Sequence, residues 1–276
     1  MTDEVWMGYL VHHAYDFTVV QSPFVLDGVR VFGADSDATT LAVAAILHRM
    51  NHEEVSVVSV PDGVDGLSLS AATGVSLFDA AAGDEPDWEV LISDEAIVVV
   101  SRKNAEVEIP MLDVEVDVDA DFHAALEAAW EQELGTGHVS QGAYVSQAQY
   151  NEAAASRLKL RGQANGDRIL WPPRFSHVVE GATTTGATLE RRGNILTWTT
   201  LSAAGAPSEF SLRAPLLGGV STVLLALQDG PNGVFLVVDD EDTLLEMDAP
   251  MQLVFRRLYA QEGFVRYGLK ARAIHD

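Results

Sequence analysis

Histidine is the residue type in this chain whose spacing first suggests metal chemistry. His12 and His13 are neighbours on or near a predicted strand, where adjacent side chains point to opposite faces of the sheet. His48 and His52 are four residues apart, which places two ligands on one face of a helix, but they straddle the predicted helix end. Because no third ligand is evident for either pair, the sequence predicts no metal site.

Nucleophilic and cofactor-binding motifs are absent from the sequence. The chain has no cysteine, which excludes disulfides, cysteine-ligated zinc and a thiolate nucleophile. It has no GxxxxGK[ST], GxSxG or HExxH motif, and no glycine-rich dinucleotide loop follows a strand. Acidic residues are too abundant for a carboxylate pair to indicate catalysis. A binding or scaffolding protein is therefore favoured over the alternative, a hydrolase or hydratase that uses Asp and His.

The charge of the chain is distributed unevenly. Its formal net charge is −24, and residues 1–155 carry 4 basic and 28 acidic residues, whereas residues 156–276 carry 13 of each. This difference indicates two domains with different surfaces. Diffuse acidic charge with only three lysines (Lys103, Lys159 and Lys270) suggests adaptation to high salt, and the alternative is an acidic face that binds a partner. Such a surface repels nucleic acid, so we expect no nucleic-acid partner.

Length and composition are those of a globular protein. A chain of 276 residues with 47% hydrophobic residues is long enough for one large domain or two ordinary ones. Residues 1–4 are acidic where a secretory signal would be basic, and apolar runs such as residues 41–47 are far shorter than a membrane span. We therefore expect a cytoplasmic protein without a membrane partner.

The N-terminal pattern predicts an α/β domain over residues 1–145. Residues 7–11 and 29–33 resemble short strands, Ser36 is a candidate cap for a helix over 37–50, and 55–60 is a buried-strand run. Strand, helix and strand in this order indicate an α/β unit. Further strands are predicted at 89–92, 96–101, 105–110 and 114–118, and a further helix at 121–134.

The C-terminal pattern predicts a small β-barrel that ends in a hairpin over residues 251–274. Met251, Leu253 and Phe255 alternate with Gln252, Val254 and Arg256. A tight turn at 260–263 ends in Gly263, which accepts a positive φ. Strands at 194–201, 220–227 and 234–238 supply the rest of the barrel. A linking helix is predicted at 146–160, followed by an irregular segment at 161–188.

Five short sequences occur in order in the C-terminal part: Trp171-Pro172-Pro173-Arg174, then GNILTWT at 193–199, DAPM at 248–251, VFRRL at 254–258 and VRYG at 265–268. Together they resemble the acyl-CoA-associated OB-fold proteins that carry a rubredoxin-like zinc ribbon, over residues 150–273. The resemblance implies a linking helix and ribbon over 146–190 and a five-stranded OB-fold barrel over 191–276, within a two-domain α+β chain.

The ribbon departs from that family. Where the family places CxxCG, this chain has GQANG at 162–166, and the position of the second cysteine pair, near 176–181, also lacks cysteine. The resemblance therefore implies a degenerate, metal-free ribbon, and we expect no bound zinc. Because a structural zinc supplies folding energy to such a knuckle, packing of Trp171 or a partner is expected to replace it.

The family resemblance implies a function without catalysis. Members are partners of thiolase-fold enzymes, and in archaea they bridge acetoacetyl-CoA thiolase and hydroxymethylglutaryl-CoA synthase and help to hold acyl-CoA. We therefore expect a non-catalytic accessory subunit in a hetero-oligomer, with acyl-CoA as its ligand and no cofactor. The alternatives are an accessory subunit of a β-ketothiolase or aldolase that acts on other acyl-CoAs, and a stand-alone acyl-CoA-binding protein.

The N-terminal part has a second resemblance. The sequence DSDATTLAVAA at 35–45 is similar to the first helix of a hydroxymethylglutaryl-CoA synthase, but the catalytic cysteine of that family has no counterpart here. Residues 1–145 are therefore either a reduced, inactive thiolase-like piece or an unrelated α/β domain.

Basic residues of the closing hairpin are the candidate binding residues. If the apolar side chains point into the barrel, alternation turns the cations outward and places Arg257 at the barrel mouth. One alternative is that this face is exposed to solvent and its charges prevent the sheet edge from pairing with another chain. The other is that it contacts CoA phosphates or an acidic partner, because arginine donates paired hydrogen bonds to phosphate. The candidates are Arg174, Arg256, Arg257, Arg266, Lys270 and Arg272.

Overall fold

The computed structural model describes residues 2–135 except 82, 84, 111 and 113, residues 154–172 except 156, and residues 185–274 except 262. The chain divides into two compact units, which we call the N-terminal unit (Met1–Ala125) and the C-terminal unit (Leu126–Asp276). The predicted domain boundary at residue 145 and most of the predicted linking helix lie outside the described residues. Within those residues, no helix has the length and apolarity needed to cross a membrane.

The N-terminal unit is built on a seven-stranded mixed sheet with the order β1-β2-β3-β9-β8-β6-β7, beside a three-stranded sheet with the order β10-β4-β5. The strands are β1 Thr2–Trp6, β2 Tyr9–His13, β3 Phe17–Gln21, β4 Phe24–Leu26, β5 Val29–Arg30, β6 Val57–Ser59, β7 Ser76–Leu77, β8 Trp88–Ser93, β9 Ile97–Arg102 and β10 Val116–Asp117. In the larger sheet only the pairs of β6 with β7 and with β8 are parallel. The N-terminal unit therefore has fewer parallel strand pairs than the predicted α/β unit would have. Short turns join β1 to β2, β2 to β3 and β8 to β9, and strands joined by such turns must pair in antiparallel fashion.

Three helices have described bounds: α1 Ala38–Met50, α2 Gly66–Thr73 and α3 Ala120–Leu134. Asp37, not the predicted Ser36, caps α1, because its carboxylate accepts a hydrogen bond from the Thr40 amide at 2.9 Å while the Thr40 hydroxyl accepts one from the Asp37 amide. Ser36 instead shares a 2.9 Å hydrogen bond with the Tyr9 hydroxyl. Helix α1 packs against β2, β3 and β9, so most of its surface is buried.

Two predicted strands of the N-terminal unit are wrong in detail. Residues 7 and 8, placed in a strand by their apolarity, form the turn between β1 and β2 with positive φ at Met7 and Gly8. Residues 105–110, all of them described, form no strand. Helix α2 and strand β3 were not predicted, because short segments have too few residues for a clear period.

The segment predicted to be irregular contains a small antiparallel sheet. Strand β11 (Arg161–Asn165) lies between β12 (Arg168–Leu170) and β13 (Thr185–Thr188). A Cβ atom at Gly162 would lie 2.6 Å from Cγ2 of Ile169, so this position needs glycine. Backbone pairing thus organises the described residues of this segment, including the sequence GQANG at 162–166.

The C-terminal unit contains a closed barrel, as predicted. Its strands are β14 Arg192–Leu201, β15 Val220–Leu227, β16 Asn232–Val237, β17 Pro250–Gln261 and β18 Phe264–Ala273, in the order β14-β15-β16-β18-β17 with β17 pairing back to β14. Met251, Leu253 and Phe255 are buried, and Gly263 has a φ of +79° in the hairpin turn. The chain is therefore a mixed α+β protein whose five-stranded barrel is consistent with an OB-like fold.

The charge asymmetry predicts that salt stabilises the N-terminal unit selectively. Repulsion between its acidic groups grows with the Debye length, which rises from about 3 Å at 1 M salt to about 10 Å at 0.1 M. We expect the N-terminal unit to exchange its amide hydrogens faster as KCl is withdrawn, while the C-terminal unit, with 13 basic and 17 acidic residues, changes less. Hydrogen exchange of the full chain in molar and millimolar KCl measures this, and equal protection of the N-terminal unit in both would contradict the proposed adaptation to high salt.

Candidate ligand groove on the barrel

An apolar groove of about 310 Å³ lies on the C-terminal unit. It is formed by the described end of the linking segment, Trp171 and strands β16, β17 and β18, and we call it the barrel groove. Its lining residues are Ala154, Arg157, Leu158, Trp171, Val234, Phe235, Leu258, Tyr267, Gly268 and Leu269. Four of them belong to the short sequences that carry the family resemblance, so segments that are distant in sequence meet at one place.

Trp171 forms one wall of the barrel groove. Its ring stacks on Phe235 of β16 with centroids 5.7 Å apart. This approach needs Gly233, because a Cβ atom there would lie 2.6 Å from the Phe235 ring and 2.8 Å from the Trp171 ring. The expected packing of Trp171 is thus present, and it attaches the segment that follows strand β12 to the barrel.

Leu258 and the β18 residues form the opposite wall. The register of β17 against β18 shifts between Arg257 and Tyr259, so Leu258 is the extra residue of a bulge. Its side chain lies over Gly268, where an added Cβ would be 2.9 Å from Cγ of Leu258. Gly268 therefore admits Leu258.

Arg157 gives the groove its charge. Among the described residues that line the groove it is the only charged one, and it is exposed. An apolar surface with one exposed guanidinium suits a ligand that has an alkyl part and an anionic part, because guanidinium donates paired hydrogen bonds to phosphate or carboxylate. Sequence analysis did not single out Arg157, since one arginine in a predicted helix carries no local signal.

Comparison with known proteins finds similar solved structures but no family. No protein family profile and no curated protein matches the chain. A solved structure is similar to about half of it. That structure is titled "Ltp2-ChsH2(DUF35) aldolase", and the similarity covers 48% of this chain and 98% of the other, with 17% sequence identity and a TM-score of 0.33. A likeness at this level does not assign a family, so the evidence for the barrel groove is its own residues.

The predicted cationic face of the closing hairpin does not face solvent. Arg256, Arg266 and Lys270 are 0%, 4% and 1% exposed. The alternative in which this face is solvated is therefore wrong, although the alternation on which it was based is present. Both faces of β17 are buried, because Val254 and Arg256 are covered as completely as Leu253 and Phe255.

Three consecutive acidic residues after β16 pair with cations of this hairpin. The pairs are Asp239 with Lys270 at 2.8 Å, Asp240 with Arg256 at 3.7 Å, and Glu241 with Arg272. The signal for these pairs in the sequence is a run of acids shortly before a run of cations. Each run considered separately does not indicate the pairing. None of these cations lines the barrel groove. Arg174 lies outside the described residues. A role for the six candidates in binding CoA or a partner therefore stays a prediction.

Arg257 packs against an aromatic side chain. Its guanidinium lies 4.2 Å from the ring centroid of Trp130 in α3, and that of Arg213 lies 3.7 Å from the same centroid. Nε of Arg213 also donates a 2.7 Å hydrogen bond to buried Glu133. Burial raises the pKa of Glu133, and the Arg213 charge opposes that rise. Arg213 and Glu133 are buried, so this part of the cluster belongs to the core of the C-terminal unit.

The fold brings a third histidine to the pair that the sequence had rejected as a metal site. His13 of β2 stacks on His52 with ring centroids 4.1 Å apart, and His48 lies 5.2 Å from each of them. Burial, followed by the charge of Arg49, lowers the pKa of His13 to about 4, so its imidazole is neutral at neutral pH. The fold therefore supplies a third candidate ligand that was not evident from the sequence.

Proposed function

We propose that this chain is a non-catalytic accessory subunit of an acyl-CoA-condensing complex of the thiolase or hydroxymethylglutaryl-CoA synthase type. In this role it helps to hold acyl-CoA and bridges the enzymes. The observation that carries the proposal is the barrel groove, where Trp171, Leu258, Tyr267 and Gly268 of the family-like sequences converge. These residues were noticed for their resemblance alone, and their convergence on one apolar groove supports a shared role.

The groove matches the chemistry of an acyl-CoA. Its apolar walls suit the acyl chain and the pantetheine arm, and Arg157 is placed to pair with a phosphate. The chain has no cysteine, so it cannot form the thioester that thiolase-fold enzymes use, and the partner would supply that nucleophile. The proposal also takes the N-terminal unit to be a reduced thiolase-like piece, which rests on the sequence at 35–45 that forms the capped start of α1.

The first test is binding of acyl-CoA to the purified full chain by calorimetry in molar KCl, with acetyl-CoA and acetoacetyl-CoA as probes. Val234→Asp puts a carboxylate on the wall of the barrel groove, at a side chain that is 69% exposed. We expect this variant to bind at least about tenfold more weakly, because the new charge faces the apolar part and repels the phosphates. Leu244→Asp is the matched control, since Leu244 is 79% exposed and lies outside the groove.

The second test concerns the partner. We expect the chain alone to catalyse neither thiolysis nor condensation, and a thiolase-fold enzyme from the same cell to co-purify with it and to lose activity or stability without it. Equal binding by both aspartate variants would reject the groove as the acyl-CoA site. Turnover by the chain alone, or a thiolase-fold enzyme that is unaffected by its removal, would reject the accessory role.

A further inference from the structure

The three histidines of the N-terminal unit converge from different elements. His13 ends strand β2, His48 lies in the last turn of α1, and His52 follows that helix. One ring nitrogen from each lies within 4.8 Å of the others. No residue of this cluster belongs to the barrel groove, so its role is independent of the function proposed above.

His48 is already oriented as a metal ligand is. It is 1% exposed, and its Nε2 is hydrogen-bonded to the carboxylate of Glu4 in β1. An ionised carboxylate accepts the Nε2 proton, which leaves the lone pair on Nδ1. That Nδ1 atom is buried and has no hydrogen-bond partner among the described residues. A carboxylate behind a histidine whose other nitrogen is uncommitted is the usual outer-shell arrangement of a metal site.

The other two histidines complete a set of ligands. Nδ1 of His13 lies 3.0 Å from the Thr18 hydroxyl, which fixes that ring and leaves its Nε2 for coordination. His52 is exposed, so its ring can turn out of the stack with His13 towards an ion. Zn–N bonds of about 2.0–2.1 Å require ligand nitrogens closer together than 4.8 Å, and rotation of His52 supplies that movement.

We propose that His13, His48 and His52 bind a divalent transition metal, with Zn²⁺ as the first candidate. Three imidazoles suit Zn²⁺, Cu²⁺, Ni²⁺ and Co²⁺, whereas Mg²⁺ and Ca²⁺ prefer oxygen ligands. The ion gives the buried Nδ1 of His48 the partner that it lacks in the protein alone. Solvent access beside His52 leaves a fourth position for water or for an anionic ligand. This proposal replaces the expectation of a metal-free chain, which considered only the missing cysteines and two histidines at a time.

The test is metal titration of the full chain without a histidine tag, after chelator treatment and in molar KCl to screen the acidic surface. We expect about one equivalent of Zn²⁺, a visible absorption band with Co²⁺, and a higher melting temperature with either metal. His52→Ala should weaken binding at least about tenfold without loss of folding, because His52 is exposed. His123→Ala, a histidine of α3 outside the cluster, is the matched control and should bind as the unmodified chain does.

A fourth variant separates a built site from adventitious binding. Glu4→Gln keeps the shape of the residue behind His48 but removes its charge, and loss of such an outer-shell carboxylate lowers metal affinity by about 10–100-fold. Binding that is unchanged in both His52→Ala and Glu4→Gln would assign the metal to the acidic surface and overturn the proposal. Absence of stoichiometric binding by the unmodified chain would overturn it too, whatever the outcome of the acyl-CoA experiments.

Discussion

Arg213→Ala is expected to lower the free energy of unfolding of the C-terminal unit by about 3–5 kcal/mol. Arg213 is fully buried, its Nε bonds Glu133 at 2.7 Å, and its guanidinium covers the Trp130 ring at 3.7 Å from the centroid. Removing it leaves a buried carboxylate without a counter-charge and opens a cavity beside an indole. Both effects lower the free energy of unfolding, because each removes favourable interactions from the folded interior and none from the unfolded chain.

Denaturant unfolding followed by tryptophan fluorescence measures this loss, and a double variant tests its cause. Arg213→Met combined with Glu133→Leu removes both charges while keeping the volume, and we expect it to be much closer in stability to the unmodified chain than Arg213→Ala is. If the single and double variants lose equal stability, the uncompensated charge of Glu133 is not the reason for the loss.

Arg256→Glu is expected to prevent the barrel from folding. Arg256 is fully buried and pairs with Asp240 at 3.7 Å, so the substitution places two carboxylates together where water cannot screen them. Arg192→Glu is the control, because Arg192 is exposed on β14 and a surface substitution changes stability by only about 0.5 kcal/mol. Circular dichroism and thermal melting distinguish the two, and a well-folded Arg256→Glu chain would contradict the buried pair.

The burial of the candidate cations limits which of them can be substituted to test CoA binding. Charge reversal at Arg256 and Arg266 would not test CoA binding, because both side chains are buried and lost binding would report lost folding. A binding test must instead act at exposed positions of the barrel groove, such as Val234 and Arg157. The burial of a residue thus decides which experiment is informative about it.

Local pattern alone determined the elements of the barrel. The alternation of Met251, Leu253 and Phe255 and the glycine at 263 predicted the closing hairpin, and β15 matches its predicted range of 220–227. Helix α3 is one residue longer than its predicted range of 121–134. These features depend on side-chain periodicity and turn chemistry within about fifteen residues, which a sequence displays directly.

Only the tertiary structure decided what the chemistry-bearing residues contact. Alternation gives the face of a strand but not what covers that face, so Arg256 and Lys270 became buried partners of an acidic turn. His13 lies 35 residues before His48 in sequence, and pairing of β2 with β3 beside α1 brings the two together. The barrel groove likewise needs three distant segments. Each of these arrangements depends on long-range packing, and no local pattern in the sequence reports the free energy of that packing.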